Sequence, residues 1–422
     1  MENQNIKVKV GMSRKWDARD AGREVIESML QDFEDNPSVV ILFSTIHYEK
    51  YGGFEELLKG AREVLPKNTL IIGGTVSGFM NNFGCYTRGV SSIIISSEDI
   101  EFNVGLGNDT KKNPQKAVDQ VYDQLKKNKK YSNNVNIEIL PTAVIPKLPG
   151  IGQKNVIFSK KMGNSFIKLL PAMARLNYGF DRADEILELL AKRFQDDIII
   201  GGCTMDDNKM LKNFQFYNMD VKENSLLLLS LSTPMKIHVE TILGYKILDT
   251  NFSIQHISKD EHVINQIDGK GARTALFEKL KISIDEIDSV YQLYKNAFYY
   301  PLGFKKDGLW HAGMIGLIYG ENLIFGNQIK NNQLTLLSLS IEKIYENISK
   351  SIDNIKKHDL HFIFGFSCET FIETLGKNIY HIHHLFDELN LPFLIPFVAG
   401  ESIYTPNNGS HHLYESMNLI AL

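Results

Sequence analysis

Three side chains that can take part in chemistry stand where an apolar strand is predicted to end. Cys368 follows the apolar run 362–367 and precedes a predicted helix; a thiol near a helix N-terminus can have a lowered pKa and act as a nucleophile. Cys203 follows a second apolar run. Glu401 follows a third, where its carboxylate could bind an ammonium group. The alternatives are buried apolar packing for each thiol and, for Glu401, hydrogen bonds from the backbone of its own turn.

Cys203 and Glu401 belong to a repeated pattern in which a short apolar strand is followed by glycine. The pattern occurs at residues 70–75, 198–203 and, more loosely, 397–402. Glycine permits positive φ and close approach of the backbone, and successive exposed N–H groups can bind a carboxylate or phosphate. The alternative is that glycine only lets the chain turn tightly between packed strands. The other groups of this pattern that could bind a ligand are Gly73, Gly74, Thr75 and Ser77 in the first copy, Gly201 and Gly202 in the second, and Gly400 in the third.

Around each glycine the sequence predicts the same order of elements: a strand, a helix, a strand and, after the turn, another strand. Helices are predicted from apolar residues with a period of 3.6, and strands from short apolar runs. Helices between strands imply parallel pairing, and the added strand makes the sheets mixed. The predicted fold class is therefore α/β, with repeated strand–helix–strand–Gly turn–strand units forming mixed sheets flanked by helices. Besides the strands that end at glycine, the predicted elements are the strands 39–44 and 91–95 and the helix 54–65, then the strands 156–159 and 226–232 and the helices 165–176 and 182–194, then the strands 362–367, 392–398 and 414–422 and the helix 371–389.

Two regions lie outside this pattern, residues 105–137 and about 240–355. The first is polar, and the sequence predicts a surface helix within it at 114–127. In the second, hairpin-turn signals separate short strands. The elements predicted in the second region are the helices 260–267, 271–280, 283–290 and 336–356 and the paired strands 310–318 and 322–328.

The composition limits the classes of function. The chain has 422 residues, of which 43% are apolar and 23% charged, which favours a globular protein of two domains or of three smaller units. A net charge of −4 argues against a dedicated nucleic-acid surface. We expect neither a signal peptide nor a membrane span, because no apolar run approaches about 20 residues. Three cysteines without paired spacing indicate free thiols and a cytoplasmic protein.

The sequence predicts no cofactor and no metal. It contains no G-x-G-x-x-G and no phosphate loop. His381 and His384 lie three residues apart on a predicted helix, but a metal site would need more ligands than these two.

With these patterns the chain resembles FIST-domain proteins, which carry paired FIST N-terminal and FIST C-terminal domains. The stretches that carry the resemblance are 39–44, 71–78, 300–303, 366–368 and 397–401. FIST proteins are described as sensory modules in signal transduction that bind small ligands such as amino acids. The resemblance therefore implies a sensory function.

The resemblance also implies two domains, an N-terminal-like domain at residues 1–237 and a C-terminal-like domain at 238–422. We expect a cytoplasmic sensor without catalysis that binds an amino acid or a related carboxylate in a cleft lined by the glycine loops. Backbone N–H groups and hydroxyls would hold the carboxylate, and Glu401 would hold the ammonium group. The sensor would then signal to a protein partner.

Two alternatives remain open at this point. The first is an enzyme of acyl or hydrolytic transfer that uses Cys368 as its nucleophile with a histidine of the C-terminal half. The second is an interaction scaffold that docks a protein through its paired strands and leaves the cleft empty. Replacing Cys368 by alanine separates the first alternative from the sensor, because an enzyme would lose turnover while it still bound its substrate.

Overall fold

The structure is a computed structural model, and it describes residues 6–126, 130–147, 152–153, 155–283 and 298–422. Its strands form three six-stranded sheets and one nine-stranded sheet. We call the three smaller units repeats 1, 2 and 3, and the nine-stranded sheet the inserted sheet. Parallel and antiparallel pairs occur within one small sheet, so the predicted α/β class with mixed sheets and flanking helices is confirmed.

Repeat 1 alternates strands with helices. Its strand Val39–Thr45 is buried along its whole length, as expected for an unbroken apolar run covered on both faces. The helix Ala18–Leu30 begins after Asp17, whose side chain accepts a hydrogen bond from the N–H of Asp20 at 3.0 Å. In chain order the elements are β1 Ile6–Ser13, α1 Ala18–Leu30, β2 Val39–Thr45, α2 Phe54–Val64, β3 Leu70–Val76, β4 Gly78–Asn81, β5 Gly84–Tyr86 and β6 Val90–Ser97.

Repeat 2 follows the same order with longer connections. Its first helix begins after Asn113, whose side chain accepts a hydrogen bond from the N–H of Lys116 at 3.1 Å. Pro114 in the first turn has no N–H that would need a partner. In chain order the elements are β7 Glu101–Asn108, α3 Pro114–Leu125, β8 Asn133–Pro141, β9 Val156–Ile157, α4 Lys160–Ala174, α5 Ala183–Arg193, β10 Ile198–Thr204, β11 Gln215–Tyr217, β12 Asp220–Lys222 and β13 Ser225–Thr233.

Repeat 3 begins with one strand, β14 His238–Leu243, and is then interrupted by the inserted sheet. The inserted region contains β15 Tyr245–Ile257, β16 Val263–Ile267, β17 Lys270–Gly271, α6 Ala272–Leu280, β18 Leu302–Lys306, β19 Leu309–Gly313, β20 Ile315–Tyr319, β21 Asn322–Phe325 and β22 Gln333–Leu339. Repeat 3 then continues with α7 Ile341–Ile355, β23 Ile363–Cys368, α8 Thr370–Leu375, α9 Ile379–Asp387, β24 Phe393–Val398, β25 Glu401–Thr405, β26 Gly409–Leu413 and β27 Ser416–Ala421.

The three repeats exchange hairpins in a cycle. After the strand that carries the repeated pattern, each repeat sends a two-stranded hairpin into the sheet of another repeat. The hairpin β4–β5 pairs with β24 of repeat 3, β25–β26 pairs with β10 of repeat 2, and β11–β12 pairs with β3 of repeat 1. The strand orders are therefore equivalent: β1-β6-β2-β3-β11-β12, β7-β13-β8-β10-β25-β26 and β14-β27-β23-β24-β4-β5.

The inner faces of the three sheets meet in one hydrophobic core. Phe43 of repeat 1 packs against two rings of repeat 3, with centroid distances of 6.3 Å to Phe364 and 5.9 Å to Phe366. Ile137 and Ile200 of repeat 2 belong to the same core. Because all three repeats contribute to this core, burial of apolar area stabilises them together.

The glycine pattern was interpreted wrongly in two of its three copies. Gly73 and Gly74 lie within β3, and Gly201 and Gly202 lie within β10, so these strands run through their glycines instead of turning. Only the third copy has the predicted turn, where Gly400 adopts φ +99° between β24 and β25.

Close packing explains the glycines in the strands. A Cβ at Gly73 would lie 1.7 Å from the carbonyl oxygen of Leu42, and one at Gly202 would lie 2.6 Å from the ring of Phe366. Neither position has room for a side chain.

Several other predicted elements need correction. The strand predicted at 156–159 is β9, which pairs with β20 of the inserted sheet, and the strand of repeat 2 equivalent to β2 is β8 instead. Residues 263–267 form a strand where a helix was predicted. Residues 336–339 end the strand β22 before α7 begins.

The two regions set apart in the sequence also contain parts of the repeats. β7 and α3, and likewise β14 and α7, occupy equivalent places in repeats 2 and 3. Over a stretch as short as 263–267, the apolar residues fit a helix face and a strand face about equally. The helix predicted at 283–290 lies almost wholly outside the described residues.

The division into domains at residue 237 stays a prediction. The sheets pair strands from both sides of it, as β4 with β24 and β10 with β25. Over the described residues, none of the helices has the length and apolar character that crossing a membrane requires.

Candidate functional site

A cavity of about 90 Å³ lies where repeats 2 and 3 meet the inserted sheet. Its walls come from the connections that follow β8 and β10, from β20 and β21, and from the ends of β23 and β24. In an α/β sheet, ligands bind beyond the carboxyl ends of the strands, and this cavity occupies that position in repeat 3. Most of its surface is apolar, and Ile145, Met205, Met210, Met314, Phe325 and Val398 contribute to it.

Asp206 is among the residues that line this cavity, and one oxygen of its carboxyl group has no hydrogen-bond partner. Its Oδ2 atom accepts hydrogen bonds from the N–H groups of Leu211 at 2.9 Å and Lys212 at 3.0 Å. Its Oδ1 atom is buried and has no hydrogen-bond partner. Burial raises the pKa of the Asp206 carboxyl, and the backbone hydrogen bonds oppose that shift. A buried acceptor without a partner costs about 1–3 kcal/mol, which a hydrogen-bond donor in the cavity would recover.

Two further acidic side chains line the cavity. Asp181 is 2% exposed and accepts a hydrogen bond from the N–H of Ala183 at 3.1 Å; burial raises the pKa of its carboxyl. Burial, with a further contribution from the charge of Glu373, raises the pKa of Glu369 to about 8. Among the described residues that line the cavity, none is lysine, arginine or histidine. The site is therefore apolar and acidic.

Cys368 lines the cavity at the end of β23, as the sequence predicted for a strand end. The hydroxyl of Thr370 donates a hydrogen bond to its sulfur at 3.1 Å. Burial, and next the charge of Glu401, raise the pKa of the thiol well above its usual value. The expected activation by a helix N-terminus is therefore outweighed, because a buried thiolate beside an acid is costly.

Glu401 lies behind Cys368 and does not line the cavity. Its two carboxyl oxygens accept hydrogen bonds from the N–H of Gly400 at 3.2 Å and the hydroxyl of Ser416 at 2.9 Å. Burial raises the pKa of this carboxyl well above its usual value. The structural alternative for Glu401, in which it accepts hydrogen bonds from its own turn, fits these contacts.

The three copies of the glycine pattern are hydrogen-bonded to one another near the centre of the molecule. Cys203 donates its N–H to the carbonyl of Gly400 at 3.1 Å, and the carbonyl of Thr75 accepts the N–H of Met205 at 2.9 Å. The Ser77 N–H donates to the carbonyl of Phe397 at 3.1 Å.

These backbone bonds join the sheets, so they are not available as a cradle for an anion. Cys203 is fully buried. Nine of the predicted site residues do not line the cavity: Gly73, Gly74, Thr75, Ser77, Gly201, Gly202, Cys203, Gly400 and Glu401. Of the predicted set, Cys368 alone is among the described residues that line the cavity.

A second polar group, which the sequence interpretation missed, crosses the sheet of repeat 2. Its members are paired neighbours on four adjacent strands: Glu138, Gly201, Ser402 and His412. Gly201 leaves room for the Glu138 side chain, because a Cβ atom on Gly201 would lie 2.6 Å from the Cβ atom of Glu138. The Ser402 hydroxyl and His412 Nδ1 lie 3.1 Å apart. Burial raises the pKa of Glu138 to about 8 and lowers that of His412 to about 4.

The missed residues gave only weak signals in the sequence. Asp206 lies two residues after β10, the strand of the second glycine copy, so the rule that ligands bind at strand ends could have found it. Asp181 and Glu138 stand far from one another along the chain and share no spacing. Their proximity to the cavity or to the core depends on strand pairing that the sequence alone does not show.

The fold and cavity define an α/β protein of three interlocked repeats, and comparison with known proteins places it in a family. The chain matches the FIST N domain over residues 38–270, more than half of its length. It therefore belongs to the FIST family, as the resemblance indicated. The FIST domain is a domain of sensory signal transduction. The C-terminal FIST domain stays a prediction.

Other comparisons add little. No curated protein matches this chain. Among solved structures, that of PurLQS from Thermotoga maritima is similar at 9% sequence identity and a TM-score of 0.20, over 99% of this chain and 72% of that chain. A similarity this weak carries no argument about fold or function.

Proposed function

We propose that this protein is a cytoplasmic sensor whose small-molecule ligand occupies the cavity beside Cys368. The observation that carries the proposal is the Oδ1 atom of Asp206, a buried acceptor without a partner at the wall of an apolar cavity. A donor on a ligand would satisfy this atom, and apolar atoms of the ligand would replace water against the rest of the wall. The three free cysteines support the cytoplasmic location.

The chemistry of the walls favours an amine with an apolar body. Asp181, Asp206 and Glu369 supply acidic groups, and the described lining residues supply no cationic side chain. An ammonium group would pair with Asp206 and lower the pKa of its carboxyl. The carboxylate of an amino acid would lie among these acids without a cation to pair with. We therefore replace the amino acid of the sequence prediction by an amine that has no carboxylate.

The volume limits the size of the ligand. A cavity of about 90 Å³ is smaller than the engineered apolar cavity of about 150 Å³ that binds benzene. The ligand that fits without movement of the walls is therefore a short aliphatic amine. A larger ligand would need the inserted sheet to move away from repeat 3.

The position of the cavity supports a signalling mechanism. Residues of the inserted sheet, such as Phe325, and residues of repeat 3, such as Cys368 and Thr370, line the same cavity. A ligand that contacts both walls would favour one arrangement of the inserted sheet over others, provided that its affinity differs between the arrangements. The surface changed in this way would be recognised by a protein partner.

The test is the thermal stability of the full chain with n-butylamine, n-butyrate and 1-butanol at equal concentrations. A ligand that binds only the native state raises the unfolding midpoint. We expect a rise with butylamine alone, and loss of that rise in Asp206→Asn. The matched control is Asp197→Asn, which removes another buried carboxylate that does not line the cavity. A rise with butyrate, or a rise that survives Asp206→Asn, contradicts the proposal.

The enzyme alternative finds no support around Cys368. The thiol contacts Thr370 and Glu401, and its pKa is raised. A nucleophilic thiol needs a lowered pKa or an adjacent base. The Cys368→Ala variant therefore tests this alternative too: we expect it to keep the stabilisation by butylamine, because the sensor needs Asp206 and not the thiol.

A further inference from the structure

A second group of side chains lies beyond the strand ends of repeat 1, and none of its members lines the cavity. We call Trp16, His47, Tyr51 and Arg88 the Trp16 cluster. Trp16 is 53% exposed and Tyr51 44% exposed, and their ring centroids lie 4.8 Å apart. The guanidinium carbon of Arg88 lies 4.0 Å from the centre of the Trp16 ring. The cluster thus joins a cation to two exposed aromatic surfaces.

Two hydrogen-bond donors beneath Trp16 have no partner. The Nη1 atom of Arg88 and the Nε2 atom of His47 are both buried and unpaired. The Thr45 hydroxyl accepts the N–H of Gly89 at 3.1 Å and lies 2.7 Å from His47 Nδ1. The Thr45 hydroxyl has two acceptors in reach, His47 Nδ1 at 2.7 Å and the carbonyl of Gly89 at 3.3 Å. When it donates to the nearer one, Nδ1, the neutral ring carries its own proton on Nε2. Burial, and next the charge of Arg88, lower the pKa of His47 to about 4, so the ring is neutral at physiological pH.

The charge of Arg88 is not neutralised by a neighbouring acid. Arg88 forms no ion pair with any residue of the described chain. The charges of Arg88 and Glu24 both act on Tyr48, the neighbour of His47 in the chain. Glu24 is already bound, because it accepts a hydrogen bond from the Ser13 hydroxyl and lies 3.5 Å from the ammonium group of Lys15. The cluster therefore keeps one net positive charge, and each unpaired buried donor costs about 1–3 kcal/mol.

The internal repetition places this cluster where repeat 3 has its cavity. His47 follows β2 as Glu369 and Thr370 follow β23, and Arg88 precedes β6 as Tyr414 precedes β27. In repeat 3 these two connections line the cavity. The same connections of repeat 1 carry the cation Arg88 and the imidazole of His47. The equivalent position in repeat 1 therefore favours an anion, whereas the acidic cavity favours a cation.

We propose that the Trp16 cluster is a second ligand site, which binds a carboxylate with an apolar or aromatic body. The carboxylate would accept hydrogen bonds from Arg88 Nη1 and His47 Nε2, and the body of the ligand would lie against Trp16 and Tyr51. Trp16 covers both donors in this structure, so its indole moves aside when the carboxylate binds. This exchange replaces one cation–π contact, worth about 0.5–1 kcal/mol at an exposed site, by charge-assisted hydrogen bonds worth more.

The test uses Trp16 itself as the reporter. The chain has two tryptophans, and Trp310→Phe leaves Trp16 alone. We expect phenylacetate to change the fluorescence of this variant saturably, because the indole leaves the guanidinium, and the neutral phenylacetamide to cause no saturable change. Arg88→Gln should weaken phenylacetate at least about tenfold, the loss of one charged hydrogen bond. His47→Asn, which removes the Nε2 donor, should weaken it as well.

The matched control is Arg14→Gln, which removes a nearby positive charge. The guanidinium carbon of Arg14 lies 5.5 Å from the centre of the Tyr86 ring. We expect this variant to change the affinity less than about twofold, since surface charges act weakly across solvent. Any one of three results would overturn the proposal. Arg14→Gln could weaken the binding of phenylacetate as much as Arg88→Gln does, phenylacetamide could bind as tightly as phenylacetate, or phenyl phosphate could bind more tightly than phenylacetate. The stabilisation by butylamine at the cavity should be unchanged in Arg88→Gln, so the two sites fail or succeed separately.

Discussion

The thiol of Cys368 and the carboxyl group of Glu401 are buried close together, and the charge of Glu401 acts on the thiol. Burial is the largest cause that raises the pKa of each group, and both values lie well above the usual ones. The thiol therefore keeps its proton at neutral pH, whereas a nucleophile would need the thiolate. This pair connects the cavity to the turn at Gly400.

The pair leads to a prediction about thiol reactivity. Cys85 is half-buried, Cys368 lines the cavity and Cys203 is fully buried, so iodoacetamide should modify them in that order in the native protein. Glu401→Gln should speed the modification of Cys368, because the carboxyl raises the pKa of the thiol and the thiolate is the reactive form. Mass spectrometry of tryptic peptides measures the three rates, and Cys85 is the internal control. An unchanged ratio of Cys368 to Cys85 would contradict the coupling.

Glu138 should make stability depend on pH in a defined direction. Burial raises its pKa from 4.5 to about 8, and the Ser402 hydroxyl opposes this only in part, because neither carboxyl oxygen has a hydrogen bond of good geometry. Between these values the folded state holds a proton that the unfolded state has lost. The contribution is thus fully present below pH 4.5 and is lost as the pH rises towards about 8, by up to about 1.4 kcal/mol per pH unit.

Replacing this carboxyl by an amide removes the dependence. The unfolding free energy of Glu138→Gln minus that of the wild type should therefore rise between about pH 5 and about pH 8. Urea unfolding at several pH values measures the difference, and Glu34→Gln, an exposed change, is the control. A difference that does not vary with pH would show that Glu138 is already ionised in the folded protein.

The sequence predicted the repetition but not how the repeats interlock. The apolar runs and the helix periodicity identified β2, α2 and β23 because burial imposes those patterns locally. The exchange of hairpins such as β4–β5 depends on pairing between residues more than 300 positions apart, as Met80 with Ile395. Local patterns contain no record of such partners, so the glycines of β3 were interpreted as turns when they serve close packing.

The site was predicted in part for the same reason. Cys368 could be placed at a strand end from its own neighbours in the sequence. Asp181 and Asp206 meet in the cavity only after the connections of repeat 2 fold against the inserted sheet. Glu401 was expected to face the ligand, but Cys368 stands between it and the cavity. Which side of a turn faces a cavity is decided by packing between sheets.

Gly202 gives a direct test of close packing between repeats. A methyl group there would lie 2.6 Å from the Phe366 ring and 2.9 Å from Val398. We expect Gly202→Ala to reduce the unfolding free energy by about 1–3 kcal/mol, since overpacking a dense core forces its neighbours to move. The control is Gly316→Ala, also within a strand, where the nearest atom is 3.9 Å away. If both variants unfold at the same urea concentration as the wild type, the glycines are not required for packing.

The exchanged hairpins predict that the chain unfolds as one unit. A fragment 1–237 lacks β24, the partner of β4, and β25, the partner of β10, and a fragment 238–422 loses β4 from the edge of β24. Each fragment would expose unpaired strand edges and part of the shared core, which favours aggregation over folding. We expect the intact chain to show a single cooperative thermal transition and neither fragment to show one. Circular dichroism of the three proteins checks this, and two fragments with separate cooperative transitions would instead show that the two domains fold separately.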